Sequence, residues 1–357
     1  MRDQEQHRRG TDRKMATIFD VAKEAGVSKS TVSRVINKDP KVKAQTRIAV
    51  EQAIRKLNYS PSYFAKGIRT GRTKTIAMLV PEYTNVFYGE MFRGVEDVAL
   101  KYGYVVLVCN TERHTTTESE YIEELLKRNV DGIIYNTYDM NPMMVDYLKN
   151  VSEERPVVFM DETARDIPGI SYVFTDGFAS TRNAVHYLYE LGKKKIGYVR
   201  NAVSISVTES RYQGYLQGLR DCGLPFYEEY AYRTQTEAEQ DYIKAGAKAA
   251  RYYAGLKERP DSVMTAIDLL GIGCLKEFKK LHIQVPRDIN IIGYDNISLS
   301  ELMEPSMTTI AQPTRLLGQR AAEILIRKLD QSPVEDRVVF EGTLIVRETT
   351  DQQGGVR

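Results

Sequence analysis

From Thr75 onward the chain alternates short, uninterrupted apolar runs with longer amphipathic stretches, and this alternation limits its fold more than any other feature. The runs are TIAMLV (75–80), YVVLVC (104–109), GIIYN (132–136), PVVFM (156–160), YVFT (172–175), IGYV (196–199), VMTA (263–266) and INIIG (289–293). Helical spacing fills the gaps at 88–102, 117–129, 142–150, 178–191, 209–222, 237–255 and 270–281. Apolar strands separated by helices predict parallel sheets covered on both faces. Two such sets predict two lobes with a cleft between them. MTTIAQP (307–313), a helix over 314–329 and strands around 338–346 are expected to cross between the lobes. The expected first lobe is 75–175 plus 312–335, the second 176–311 plus 336–350, and 351–357 is a tail.

The amino-terminal stretch Thr17 to Asn37, TIFDVAKEAGVSKSTVSRVIN, has a different pattern. Ile18, Val21, Ala22 and Ala25 fall on one face of a first helix that Thr17 can cap and Gly26 can end. Ser28 can cap a second helix, Lys29 to Asn37, with Val32, Val35 and Ile36 as its buried side. Lys29, Ser30, Ser33 and Arg34 lie off that side. This is helix-turn-helix spacing: the first helix grips the second, whose polar face can enter a DNA major groove. A third helix, 44–57, is expected to close the core with Ile48, Ala49, Ala53, Ile54 and Leu57, and Pro61 bars its continuation.

Charge divides the chain in the same place. Residues 1–75 hold 18 Lys/Arg against 7 Asp/Glu, and the remainder 32 against 41. A basic end on an acidic body suggests a polyanion-binding module fused to a second function. Cys109, Cys222 and Cys274 are few and far apart, which fits a reducing cytoplasm rather than a disulfide framework. Residues 1–14 are polar and read as a disordered leader, with Met15 a second candidate start. No apolar run is long enough to span a bilayer. The four histidines are scattered and no nucleophile elbow or P-loop occurs, so no catalysis, metal or cofactor is expected.

The stretch 17–37 resembles the headpiece of LacI/GalR family transcription regulators, whose pattern T-x-x-D-V-A-x-x-A-G-V-S-x-x-T-V-S-R-V-x-N is filled at every fixed position. The resemblance implies a headpiece over 15–60 and a hinge over 61–74. It also implies a periplasmic-binding-protein type I domain of two parallel-sheet lobes over 75–350, and a homodimer on a pseudo-palindromic DNA operator. Lys29, Ser30 and Arg34 are then expected to read bases, and Thr31, Ser33 and Asn37 to position phosphates. Thr17, Ser28 and Tyr59 complete the DNA-facing set. In the family a hinge-helix leucine wedges into the minor groove, and Ile68 stands at that position. Gly67 before it lowers helix propensity by ~1 kcal/mol relative to alanine, which suits a segment that orders on binding; a plain linker is the alternative reading of the same residues.

Ligands of open parallel sheets meet the loops at the carboxyl ends of strands. That rule, with the family motifs P-x-x-x-N-x-F-[FY], R-x-x-G-[YF] and G-[YF]-D-[ND], nominates Tyr83, Phe87, Tyr88, Asn136, Thr137, Asp176, Arg211, Asp268 and Asp295 for a small-molecule effector, a sugar or sugar phosphate. Strand-end Asp and Asn also serve as helix caps, so each has a purely local alternative. Two positions depart from the family: Val86 replaces the usual proline, and Ile267 an amide that often contacts effector. In the catabolite-control branch a phosphorylated carrier protein acts as corepressor. Arg315, Arg320, Arg327 and Lys328 on helix 314–329 would serve such a partner, with Glu323 interrupting them. The competing reading is a solute-binding or sugar-metabolising α/β protein whose basic end is incidental.

Overall fold

The computed structural model describes residues 16–60, 71–112, 115–136, 142–160, 162, 165, 167, 169–201, 206–234 and 241–350. The leader, hinge residues 61–70 with Ile68, Thr137 and the tail 351–357 lie outside these residues. The chain forms two compact units, divided between Thr73 and Lys74.

The first unit holds three helices, α1 (Ile18–Glu24), α2 (Lys29–Ile36) and α3 (Ala44–Lys56). Thr17 and Asp20 form a reciprocal capping box: Thr17 N donates to Asp20 Oδ2 at 2.8 Å, and Thr17 Oγ1 accepts from Asp20 N at 3.4 Å. Gly26, at φ +63°, makes the left-handed turn that lets the chain reverse. Ser28 Oγ accepts from Thr31 N at 3.2 Å and starts α2. Val21, Val32 and Val50, one from each helix, are fully buried at the centre. Ile48, expected in this core, is 55% exposed. Val50, Ala53 and Leu57 recur at three- and four-residue steps, and that face excludes Ile48, two residues from Val50.

The second unit is built on two six-stranded sheets. The first contains β1 (Thr75–Val80), β2 (Val105–Asn110), β3 (Gly132–Tyr135), β4 (Val157–Phe159) and β5 (Ser171–Asp176), with β11 (Arg337–Glu341) on the far edge, in the order β11-β5-β4-β3-β1-β2. The second contains β6 (Ile196–Arg200), β7 (Ala231–Arg233), β8 (Ser262–Thr265), β9 (Asn290–Asp295), β10 (Thr308–Ala311) and β12 (Thr343–Ile345), in the order β12-β10-β9-β8-β6-β7. Every pairing is parallel except β10 with β12.

The helices of this unit are α4 (Val86–Lys101), α5 (Thr115–Lys127), α6 (Pro142–Glu154), α7 (Gly177–Glu190), α8 (Ser206–Asp221), α9 (Tyr242–Gly255), α10 (Asp268–Lys280), the short α11 (Ser298–Glu301) and α12 (Thr314–Leu329). Strand periodicity divides β1 between two cores. Ile76, Met78 and Val80 pack under Val95 and Ala99 of α4 and Ala321 and Leu325 of α12, while Ala77 and Leu79 face Ile122 of α5 and Leu148 of α6. Helices α4 and α12 meet backbone to backbone: a Cβ on Gly318 would stand 2.0 Å from Met91 O.

Three details differ from the sequence reading. The segment 336–350 is divided, because β11 pairs with β5 from Arg337↔Tyr172 to Glu341↔Asp176, and only β12 joins the second sheet. Strand β7 follows a tyrosine-rich segment with no apolar run to signal it. Strand β2 is not covered on both faces: it is an edge strand, and Val105, Leu107 and Val108 are exposed. The chain therefore passes between sheets at Asp176–Gly177, at Gln312–Pro313 and at Gly342.

Candidate DNA interface and effector cleft

The outward side of α2 is polar and basic. Lys29, Ser30, Arg34 and Asn37 are exposed, while Thr31 and Ser33 are half-buried. Ser28 Oγ lies 2.7 Å from Ser30 Oγ and 2.9 Å from Thr31 Oγ1, so the cap ties both hydroxyls together. The Lys29 ammonium stands 4.7 Å over the ring of Phe19, an exposed aromatic on α1 that the sequence reading passed over. Its signal was an apolar residue off the Ile18–Val21–Ala22 face. Tyr59 packs against the headpiece core rather than lying free. Residues 16–60 carry nine Lys/Arg against four Asp/Glu, enough for a phosphate-attracting surface.

In the second unit, loops from both lobes line a partly open cavity of about 90 Å³. Phe87, Tyr88, Asn136, Arg211 and Asp295 all line it. Arg211 is almost fully buried. Its Nη1 donates to Ala266 O at 2.6 Å, its Nη2 lies 3.7 Å from Asp295 Oδ1, and its guanidinium stacks 3.6 Å from the Tyr294 ring centre. Gly177 lets the arginine stem pass, since a Cβ there would stand 3.0 Å from Arg211 Cγ. Asp295 accepts from Gln312 Nε2 at 2.8 Å and holds φ at +115°, a strained backbone for a non-glycine residue. Burial pushes its carboxyl up to about 6, against the opposing pull of Arg211 and Gln312. Asn136 Nδ2 donates to Met160 O at 3.2 Å. Phe87 packs against the cores of both lobes, so it spans the cleft.

Three nominated residues do not reach the cavity. Tyr83 is 68% exposed. Asp176 caps α7 by accepting from Ala179 N at 2.9 Å and pairs with Arg165 at 3.6 Å. Asp268 is fully buried and accepts from Ser300 Oγ and Thr309 Oγ1 at 2.6 Å each and from Ile297 N at 2.9 Å. It braces the turn that carries Asp295. Burial and the neighbouring Asp295 charge push its carboxyl up to about 7. The cavity also takes polar residues that were missed: Asn85, Glu162, Thr175, Asn201, Thr208 and Gln312. Thr175, Asn201 and Gln312 stand at strand ends, so the same rule could have found them. Ile267, where the family often has an amide, lines the wall. Among the described residues no cluster of three metal-ligating side chains occurs.

Residues 17–62 match the model of bacterial regulatory proteins of the lacI family, and residues 185–350 match the periplasmic binding protein-like domain. The PurR repressor of Photobacterium profundum is 33% identical over 336 residues, covering 94% of this chain and 98% of that one. The chain belongs to the lacI family. It is a DNA-binding transcriptional repressor with an effector-binding domain. The CytR repressor of Escherichia coli K12 is 31% identical over 339 residues, covering 94% and 96% of the two chains. Among solved structures, the lac repressor dimer bound to operator and the anti-inducer ONPF matches with a TM-score of 0.84 at 26% identity, covering 94% of this chain and 99% of that one. No helix of this repressor's described residues is long and apolar enough to cross a membrane.

Proposed function

We propose that this repressor binds a pseudo-palindromic operator as a homodimer in the cytoplasm, and that a sugar-like effector in the inter-lobe cleft sets how tightly it holds carbohydrate-related genes. The observation that carries the reading is the exposed Lys29–Ser30–Arg34 face of α2, fixed by a helix whose partner side is fully buried at Val32. In this reading those three residues contact bases, and Thr31, Ser33 and Asn37 contact phosphates. Thr17, Ser28 and Tyr59 border the same surface, and Ile68 wedges the minor groove. Residues 15–60 are the headpiece, 61–74 the hinge and 75–350 the effector domain.

Dimerisation has support in one apolar face. Leu100, Tyr102, Val105, Leu107 and Val108 are exposed around the open edge strand β2, a surface that a monomer leaves as a pairing hazard. The similar lac repressor was solved as a dimer on its operator with a small molecule bound, which supports the same assembly here. A phosphoprotein corepressor on α12 has less support. Arg315 is bound to Asp97 at 2.8 Å, Arg320 to Glu323 at 3.0 Å and Lys328 to Asp336 at 2.8 Å, so three of the four basic residues already hold carboxylates.

The test is selection of bound DNA from a random pool by the full-length protein, followed by a salt titration of the recovered site. A two-fold symmetric site is expected, with affinity falling steeply between 50 and 200 mM salt, by roughly 10³-fold or more. Arg34→Ala should lose roughly 1–3 kcal/mol and relax the sequence preference at its base position. Recovery of no enriched sequence, or of one without two-fold symmetry, would overturn the proposed operator reading.

A further inference from the structure

Thr175 and Asn201 each place a buried side-chain oxygen at the cleft with no hydrogen-bond partner among the described residues. Thr175 is the last residue but one of β5 in the first lobe, and Asn201 follows β6 in the second. Both line the cavity, and each is 7% exposed. Thr175 Oγ1 and Asn201 Oδ1 are each fully buried and unpaired. An orphaned buried oxygen is costly, and two of them on facing walls of one cavity mark where a ligand supplies what the protein does not.

The charges around the cavity limit what that ligand is. Arg211 is the sole cation lining it among the described residues, against the carboxylates Glu162 and Asp295. Its guanidinium already engages Ala266 O, the Tyr294 face and Asp295. Arg165 approaches from outside, 3.8 Å from Glu162 and 3.6 Å from Asp176, so it is shared between Glu162 and one further carboxylate. Among the described lining residues Arg211 faces the two carboxylates Glu162 and Asp295, so the site has no surplus positive charge, and Asn201 Oδ1 adds an acceptor. A phosphoryl group brings up to two negative charges and several more acceptors, and would meet repulsion and unpaired oxygens there.

On the reading of this cleft as the effector site, we infer that Thr175 and Asn201 select the effector, and that it is a neutral molecule bearing hydroxyl or N–H donors rather than a phosphorylated one. Thr175 and Asn201 come from opposite lobes, so such a ligand joins the walls through one hydrogen bond on each side. Asn201 Oδ1 requires a donor, and Thr175 Oγ1 takes either a donor or an acceptor.

The test uses the full-length protein and matched probes: glucose and glucose 6-phosphate, ribose and ribose 5-phosphate, adenosine and its 5′-monophosphate, and cellobiose. Binding is read by calorimetry and thermal shift. A neutral probe is expected to bind, with its phosphorylated counterpart at least about tenfold weaker. Thr175→Val and Asn201→Leu should each weaken that neutral probe about tenfold, the size of one lost hydrogen bond to a buried group. Their melting temperatures without probe should hold or rise, because each removes an unpaired oxygen. Asn201→Asp keeps an acceptor and should keep the neutral probe. Tighter binding of a phosphorylated member, or wild-type affinity in Thr175→Val and Asn201→Leu, overturns this inference while leaving the effector cleft standing. Binding of no probe by the wild type removes the effector reading itself, and the inference with it.

Discussion

Replacing Asp268 with asparagine should flatten the dependence of folding stability on pH between about 4 and 7. The wild-type carboxyl sits fully buried and accepts from three uncharged donors, Ser300, Thr309 and the Ile297 amide. Loss of water and the nearby Asp295 charge move it from 3.8 to about 7, and the three hydrogen bonds offset only part of that. Between these values the folded protein holds a proton that the unfolded chain has released. Stability therefore falls as pH rises through the window. About three units at ~1.4 kcal/mol each give a ceiling of roughly 4 kcal/mol. Asp295, raised to about 6, acts with the same sign in both proteins. Asp221 is held down at about 2, chiefly by Arg182 and Gln217, so it titrates below the window with the opposite sign. The difference between wild type and Asp268→Asn isolates the buried group. The chain has no tryptophan, so urea unfolding is followed by far-ultraviolet circular dichroism at pH 4 to 8. The variant starts weaker at pH 4, having lost an acceptor, and should gain on the wild type by up to roughly 4 kcal/mol by pH 8. A constant offset across the range would refute an uncompensated acid at this position.

Gly318→Ala places a methyl group 2.0 Å from Met91 O and 3.0 Å from Val95 N, so α4 and α12 must separate. A loss of roughly 1–3 kcal/mol or more is expected in urea melts, with weaker effector binding, because α4 carries Phe87, Tyr88 and Met91 into the cleft. Leu107→Lys, on the exposed face of edge strand β2, should shift the protein to monomer in sedimentation equilibrium with little change in melting temperature. An unchanged dimer would move the interface elsewhere.

The headpiece was legible because its determinants are local. Thr17, Gly26 and Ser28 act within a turn of where they stand, and three- and four-residue spacing names the buried side of α1 and α2. What failed was set by distant partners. Nothing within 336–350 says that β11 will lie beside β5, 165 residues earlier, and nothing in YVVLVC says that β2 will be an edge. The cleft shows the same limit on a finer scale. The strand-end rule led to loops that line the cavity, yet at 175–176 and at 267–268 the residue before the aspartate lines it. Asp176 is drawn to the amide of Ala179, and Asp268 to Ser300, Thr309 and Ile297. A short carboxylate at a strand end satisfies nearby donors first, and the adjacent side chain then faces the opposite way. Arg211 and Asp295 escaped this competition because each pairs across the cleft floor instead.

The same contacts place the cleft next to the passages between lobes. Gly177, in the first crossover, packs on the stem of Arg211. Gln312, in the second, donates to Asp295. Ser180 Oγ donates to Asp176 O at 2.5 Å and accepts from Gly342 N at 3.0 Å, tying the first crossover to the third. A ligand that draws on Arg211 or Asp295 therefore acts directly on two crossovers and through Ser180 on the last. It can shift the lobes only by the difference in its affinity for their two arrangements. That difference has a physical source here: Thr175 and Asn201 stand on opposite walls, so one ligand satisfies both oxygens only at one separation of the lobes.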